Sequence, residues 1–171
     1  MESLLSDERY NFLSEKEKQF IIAFDHAITK AGYESNGIAP YVCLGKYKIE
    51  YSKLGLKTKK YAARFYFRDS GIVLRMYFTN IDKHREYIET APDFIKAPFT
   101  DSRGKCRQCD KNGGGIGKTG KCTFKKTYTI DGKLYEKCSG ETFYFDNYDL
   151  KSIPLYMELL AVFYPDRKKR E

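Results

Sequence analysis

Four cysteines in the second half of the chain have the spacing of metal ligands. Cys106 and Cys109 form a Cys-x2-Cys pair, in which two thiolates can bind one metal while backbone amides point at the sulfurs. Cys122 and Cys138 complete a Cys-x2-Cys-x12-Cys-x15-Cys set. Zn²⁺ prefers a tetrahedral thiolate shell, and a shell closed by four protein ligands is structural and not catalytic. We therefore expect a structural zinc site at these residues.

The second pair of cysteines leaves other interpretations open. Cys122 and Cys138 flank the Asp-Gly turn at 131–132, which brings them towards each other, whereas an ordinary zinc ribbon has Cys-x2-Cys in both halves. Reduced cysteines without metal are one alternative. A redox pair at Cys106 and Cys109 is another, although such a pair should lie at a strand end that opens a helix, which the residues after Cys109 do not predict.

The glycine-rich loop between the cysteines looks like a phosphate-binding loop but does not meet its requirements. Gly117-Lys118-Thr119 supplies the end of a Walker motif, yet the position five residues before Gly117 is Asn112 and not glycine. No apolar strand leads into the loop and no helix is predicted after it, so no helix dipole would face a phosphate. The loop is expected to connect metal ligands, with Lys118 as one charge in a basic segment.

Positive charge is concentrated around the cysteines. The chain has a net charge of +8, and residues 103–137 contain ten Lys/Arg against three Asp/Glu, which makes this segment +7. A second basic cluster lies at 167–170. Such clusters attract phosphates, so Lys118, Lys125 and Lys126 are candidate contacts for a nucleic acid or another ligand. The alternative is that these lysines are solvated and serve solubility.

A predicted hairpin, ARFYFRDSGIVLRMYF, carries the second candidate binding surface. Because strand side chains alternate, Arg64 and Tyr66 share one face of the first strand, and Arg75 and Tyr77 share one face of the second. If the apolar faces pair, these four residues form a basic aromatic patch, here called the Arg/Tyr face, which could stack bases and hold phosphates. An ordinary half-exposed sheet would look the same, since Arg and Tyr both keep polar ends in water.

The elements that position these residues follow from periodicity and turn chemistry. With 171 residues, 42% of them hydrophobic and 16% aromatic, the chain should fold as one α+β domain (1–171) with an inserted module at 103–140. A capping box at residues 14–17 begins a helix that stops at Gly32. Residues 33–40 have the composition of a loop, and Cys43 is expected to be buried. Strands are predicted at 44–51, 60–67, 72–78 and 142–145, a hairpin around residues 131–132, short helices at 82–89 and 92–99, and a last helix at 149–164.

The expected fold is thus an antiparallel sheet flanked by N- and C-terminal helices, with an inserted four-cysteine zinc-binding module. The first thirty residues contain no signal peptide and no apolar run long enough to cross a bilayer. We therefore expect a cytoplasmic protein without membrane contacts, in a compartment where thiols stay reduced.

The segments KKYAARFYFRDSGIVLRMYFTNID and GETFYFDNYDLKSIPLYMELLAVFYP resemble small bacterial α+β proteins of the YjbR-like and related groups. The resemblance covers about half of the chain and implies a curved antiparallel sheet that ends in a strand and an acidic-capped helix. The cysteine segment would be an insertion in that pattern. The resemblance implies a fold and no particular activity.

Binding is the expected function. Positive charge at 103–138 would meet phosphates and the Arg/Tyr face would stack bases, so nucleic acid is the favoured partner. The alternative is a small-molecule sensor whose Tyr- and Phe-rich sheet encloses a ligand. A third hypothesis is an enzyme that uses such a pocket. His26 and His84 have no cysteine partner nearby in the sequence, so no catalytic residue is predicted. The sequence leaves the oligomeric state open.

The zinc hypothesis predicts the metal content of the purified protein. Protein prepared without added metal should contain one equivalent of Zn²⁺, measured by elemental analysis, because a closed tetrathiolate shell holds the ion tightly. A content below about half an equivalent would contradict a structural site.

Overall fold

The structure is a computed structural model that describes residues 5–6, 8–41, 43, 45–53, 61–101, 125–137 and 142–165. The helices are α1 (Glu15–Lys30), α2 (Arg85–Thr90), α3 (Asp93–Thr100) and α4 (Ile153–Phe163), with short 3₁₀ turns at Glu8–Tyr10, Ile81–His84 and Leu150–Ser152. The strands are β1 (Tyr33–Pro40), β2 (Tyr47–Lys53), β3 (Tyr61–Arg68), β4 (Gly71–Tyr77), β5 (Lys126–Ile130), β6 (Lys133–Lys137) and β7 (Thr142–Phe145).

The chain divides into two compact units. Unit 1 consists of Met1–Tyr77 and Tyr144–Glu171, and unit 2 of Phe78–Phe143. A five-stranded antiparallel sheet has the order β1-β2-β3-β4-β7, and β5 and β6 form a separate two-stranded sheet. The predicted α+β architecture, with an antiparallel sheet and helices at both ends of the chain, is confirmed. The inserted module lies largely outside the described residues and stays a prediction.

The helix α1 begins as predicted. The Ser14 hydroxyl accepts a hydrogen bond from the Glu17 amide, and the Glu17 carboxylate accepts one from the Ser14 amide at 2.9 Å. This reciprocal capping box satisfies amides that the first helical turn leaves free. Phe20 and Phe24 are fully buried on the face of α1 that packs against the sheet.

Aromatic rings fill the core between the helices and the sheet of unit 1. The ring of Phe65 on β3 lies 5.1 Å from that of Phe24 and 6.1 Å from that of Phe20, both nearly edge-to-face. Tyr156 of α4 approaches Phe145 of β7 at 5.5 Å in the same geometry. Edge-to-face pairs add to the free energy gained by burying the rings. One face of the sheet is therefore committed to the helices, and the polar residues of β2, β3 and β4 lie on the other.

The segment 33–40, predicted as a loop, is the edge strand β1. It pairs with β2, from Tyr33 opposite Lys53 to Pro40 opposite Tyr47, with a shift of register between Ser35 and Ile38. The polar residues and glycine that favour a loop occupy this bulge, where Gly37 has a φ of +67° that favours glycine. The loop prediction was wrong because bulged edge strands use turn-like residues.

Cys43 is exposed, so the prediction of a buried thiol was also wrong. Cys43 lies in the connection between β1 and β2 and not within a strand. The apolar neighbours that suggested burial therefore do not place it against the helices.

Unit 2 contains the predicted hairpin. The turn between β5 and β6 holds Asp131 and Gly132 at φ angles of 48° and 71°, as a type I′ turn requires. The Tyr128 hydroxyl donates a 2.6 Å hydrogen bond to the Phe99 carbonyl of α3, and the Asp82 carboxylate accepts one of 2.8 Å from the Thr129 amide. These bonds join the hairpin to the helices of the same unit. In the described part of the chain, no helix is both long and apolar enough to cross a membrane.

Glu17 also connects α1 to the β3–β4 turn. Its carboxylate accepts a 3.0 Å hydrogen bond from the Ile72 amide, and a Cβ placed on Gly71 would lie 2.4 Å from its Oε1 atom. Partial burial alone would raise the pKa of Glu17, but the hydrogen bonds from Ser14 and Ile72 outweigh it and hold the pKa below the ordinary value of 4.5.

The substitution Glu17→Gln should lower the free energy of unfolding by about 1 kcal/mol at neutral pH, because a neutral amide accepts these hydrogen bonds less strongly. The wild-type carboxylate binds its proton more weakly in the folded than in the unfolded state. Its contribution to the free energy of unfolding is therefore fully present above the pKa of the unfolded state. This contribution is lost as the pH falls through the pKa of the folded state. Urea denaturation at a series of pH values should show that the free energy of unfolding falls less steeply towards acid pH in the variant than in the wild type.

The control for this experiment is Glu15→Gln, which removes the same charge from the same helical turn. Glu15 is exposed and contacts Lys18 at 3.0 Å, so its substitution should change stability only slightly. Equal losses for the two variants would contradict the role assigned to Glu17.

Candidate functional site

The structure brings the four residues of the Arg/Tyr face together on one side of the sheet of unit 1. In the register of β3 and β4, Arg64 stands directly opposite Arg75, and Tyr66 stands opposite Val73. Phe65 and Leu74, which alternate with them, are fully buried on the helix-facing side. The face therefore follows from the alternation of the two strands.

The hydroxyls of the face form one hydrogen-bonded group with Arg64. Its Nη1 atom donates to the Tyr77 hydroxyl at 2.9 Å and to the Tyr66 hydroxyl at 3.5 Å. The two hydroxyls lie 3.3 Å apart, within hydrogen-bond distance of each other. Two phenols and a guanidinium thus share a single polar centre at the middle of the sheet.

Glu50 on β2 supplies the counter-charge for Arg64. It lies directly opposite Arg64, and its Oε1 atom is 2.6 Å from Arg64 Nε. Its Oε2 atom is 2.9 Å from the Lys48 ammonium, and the Glu50 side chain is only 10% exposed. Neither Oε1 nor Arg64 Nε meets hydrogen-bond geometry with a group of the described residues, so the contact is an ion pair and not an aligned hydrogen bond.

Sequence reasoning missed Lys48 and Glu50, although a signal for them exists. Residues 47–51 read Tyr-Lys-Ile-Glu-Tyr, so Lys48 and Glu50 alternate with hydrophobic residues and share one face of β2. Only the register of β2 against β3 reveals that this face is the one that carries Arg64.

Arg75 differs from Arg64 in its charge partners. It makes no ion pair with a carboxylate in the described part of the chain, and its Nε atom is buried without a hydrogen-bond partner there. Its guanidinium carbon lies 5.1 Å from the ring centroid of Tyr144, 5.6 Å from that of Tyr77 and 6.0 Å from that of Tyr66. Aromatic rings attract a cation but do not neutralise it. The Arg75 charge therefore lies among aromatic rings and pairs with no carboxylate of the described residues.

The side chains of the site sum to a positive charge. Lys48, Arg64 and Arg75 contribute +3 and Glu50 contributes −1, which leaves +2. Directly opposite like charges on neighbouring strands are destabilising, and one carboxylate cannot neutralise both guanidinium groups. Among the described residues the positive charge of this face is therefore in excess, and such an excess attracts anions.

This positive charge also affects the phenols. Burial would raise the pKa of Tyr66, but hydrogen bonds from Tyr77 and Arg64, together with the nearby Arg75 guanidinium, lower it below the ordinary value of 10.0. The pKa of Tyr77 is raised, first by burial and then by its hydrogen bond to Tyr66. Of the two phenols, Tyr66 is the one that the arginines poise to ionise.

Exposure limits which rings could stack on a base. Tyr66 is completely buried, because the Tyr41 ring packs against it at 5.4 Å and the arginines lie beside it. Tyr144 on β7 is 41% exposed, next to Arg75. The exposed aromatic surface of the site is therefore at Tyr144, which sequence reasoning did not select, and not at Tyr66.

The remaining predicted residues divide into two groups. Lys125 and Lys126 lie in unit 2, where Lys125 pairs with Glu136 at 2.6 Å and Lys126 is exposed at the start of β5. Lys118 and the predicted zinc ligands Cys106, Cys109, Cys122 and Cys138 lie outside the described residues. Within the described ranges, no group of three or more His, Cys, Asp or Glu side chains is placed to hold a metal ion. The zinc site stays a prediction.

Unit 2 contains a pocket of about 200 Å³. The residues that line it are Phe78, Thr79, Asn80, Ile81, Asp82, Lys126, Thr127 and Tyr128. Most of this lining is polar, whereas the small-molecule alternative calls for an enclosed aromatic cavity against the sheet. This pocket therefore does not support that alternative.

The chain matches no protein-family model, no curated protein and no solved structure. The resemblance to the YjbR-like and related groups stays a prediction.

Proposed function

We propose that this protein binds single-stranded nucleic acid through the Arg/Tyr face of unit 1. The observation that carries the proposal is Arg75, a partly buried guanidinium directly opposite Arg64 and without a carboxylate partner among the described residues. Holding two guanidinium groups side by side lowers the stability of the free protein. A phosphate that contacts Arg75 removes this repulsion and forms charge-assisted hydrogen bonds.

The preference for single strands follows from the aromatic neighbour of Arg75. Tyr144 is 41% exposed and lies beside the guanidinium, so one unpaired base can stack on its ring while the adjacent phosphate contacts Arg75. Stacking of this kind contributes roughly 1–3 kcal/mol per base and tolerates any base. A duplex keeps its bases stacked on one another and gains nothing from this ring.

The basic segment at 103–138 belongs to the same proposal. Its lysines, including Lys118, Lys125 and Lys126, would add phosphate contacts that depend on charge and not on sequence. A zinc site at Cys106, Cys109, Cys122 and Cys138 would order that segment without taking part in any reaction. The protein is on this account a zinc-containing binding protein and not an enzyme.

The proposal predicts the effect of removing the Arg75 charge. Fluorescence anisotropy with a labelled single-stranded oligonucleotide should show about tenfold weaker binding for Arg75→Gln, since a charge-assisted hydrogen bond contributes roughly 1.5–3 kcal/mol. The slope of log K against log salt should become shallower by about one, because one fewer counterion is released.

The matched control is Lys16→Gln, which removes one positive charge from the exposed surface of α1, away from the Arg/Tyr face. Binding by this variant should stay close to wild type. An equal loss for both variants would mean that net charge alone attracts the strand, and an affinity that does not vary with salt would contradict nucleic-acid binding.

A further inference from the structure

We infer that the anion taken by the Arg/Tyr face is a phosphomonoester, such as the terminal phosphate of a nucleic-acid strand. This inference rests on the proposed function where the phosphate is that of a strand end. The same chemistry is offered by a free phosphate ester, and the experiment below separates the two sources.

Charge is the first argument for a monoester. The site holds Lys48, Arg64 and Arg75 against Glu50, a net +2. A phosphodiester inside a strand carries one negative charge, whereas a phosphomonoester carries about −1.5 to −2 at neutral pH. Of the two, only the phosphomonoester carries enough negative charge to compensate the net +2 of the site.

The distribution of donors is the second argument. Arg64 is already engaged, with its Nε at Glu50 and its Nη1 at the Tyr77 hydroxyl. Arg75 is only partly buried and pairs with no carboxylate among the described residues, so its planar fork is the guanidinium of this face that could bind phosphate oxygens in pairs. A terminal phosphate presents three unesterified oxygens to such donors, and an internal phosphodiester presents two.

A further unpartnered group lies on the same side of β2. The Ser52 hydroxyl is buried without a hydrogen-bond partner in the described ranges, and the residue is only 1% exposed. Ser52 is two residues from Glu50 and opposite Tyr61, whose ring centroid is 4.1 Å from the Arg64 guanidinium carbon. Buried polar groups are normally hydrogen-bonded, so the Ser52 hydroxyl adds a further hydrogen-bonding group beside the row of charges.

The limited exposure of the charged side chains also favours a phosphomonoester. The side chains of Arg64 and Lys48 are only 19% and 20% exposed, so neighbouring side chains cover most of both. A phosphate inside a strand carries a sugar on each side and needs a groove open at both ends. A terminal phosphate carries one ester substituent, so it can approach partly covered charges from one side.

The experiment uses the full chain and three probes. Two are the same short single-stranded oligonucleotide with a 5′-phosphate or a 5′-hydroxyl, and the third is phenyl phosphate. Wild type should bind the phosphorylated strand at least about tenfold more tightly than the hydroxyl strand. This ratio should fall to about one in Arg75→Gln and persist in Lys16→Gln. Phenyl phosphate should displace the phosphorylated strand.

A second variant guards against loss of folding. Arg75→Lys keeps the charge without the planar fork, so it should bind both strands but with a reduced preference for the phosphorylated one. Circular dichroism of each variant verifies that the fold is retained.

Three results would overturn one proposal or the other. Equal, Arg75-dependent binding of both strands overturns the monoester inference and leaves nucleic-acid binding standing. Binding of phenyl phosphate without binding of either strand overturns the proposed function and leaves the monoester site. Binding of none of the three probes overturns both.

Discussion

The constraint on which this account depends is a cross-strand row of charges at the centre of a β-sheet. Glu50, Arg64 and Arg75 occupy directly opposite positions on three neighbouring strands, and the Glu50 carboxylate pairs with Arg64 and not with Arg75. Lys48 draws on the same carboxylate. Protein interiors and half-buried surfaces normally pair such charges, because an uncompensated cation in a region of reduced dielectric is unfavourable. The proposed anion ligand is based on this excess of positive charge among the described residues.

The apolar core of unit 1 offsets the unfavourable free energy of this row of charges. Phe24, Phe65 and Tyr156 pack between the helices and the opposite face of the sheet, and their burial supplies apolar stabilisation that the charged face does not. Because this core fixes the register of the strands, Arg64 and Arg75 cannot slide apart to relieve their repulsion. The paired strands thus hold the two arginines in fixed register, so under the proposed function little ordering would accompany binding of an anion.

Local signals predicted much of this architecture, and pairing between distant segments supplied the rest. The capping box at Ser14 and the alternation that places Arg64 with Tyr66 depend on neighbouring residues and were readable in the sequence. The carboxylate partner of Arg64 depends on the register of β2 against β3, which no local pattern contains. The burial of Tyr66 depends on Tyr41, a residue from the connection between β1 and β2. The edge strand β1 was hidden by the turn-like residues of its bulge.

The pKa of Tyr66 is the most direct measure of excess positive charge on the Arg/Tyr face. It can be measured without a ligand. The tyrosine side chains can be labelled with ¹³C at Cζ and titrated by NMR, with the Tyr66 signal assigned from Tyr66→Phe. The account predicts that Tyr66 ionises below the ordinary tyrosine pKa of 10.0, and that Arg75→Gln raises this pKa. A Tyr66 pKa at or above the ordinary value, unchanged by Arg75→Gln, would contradict the central claim.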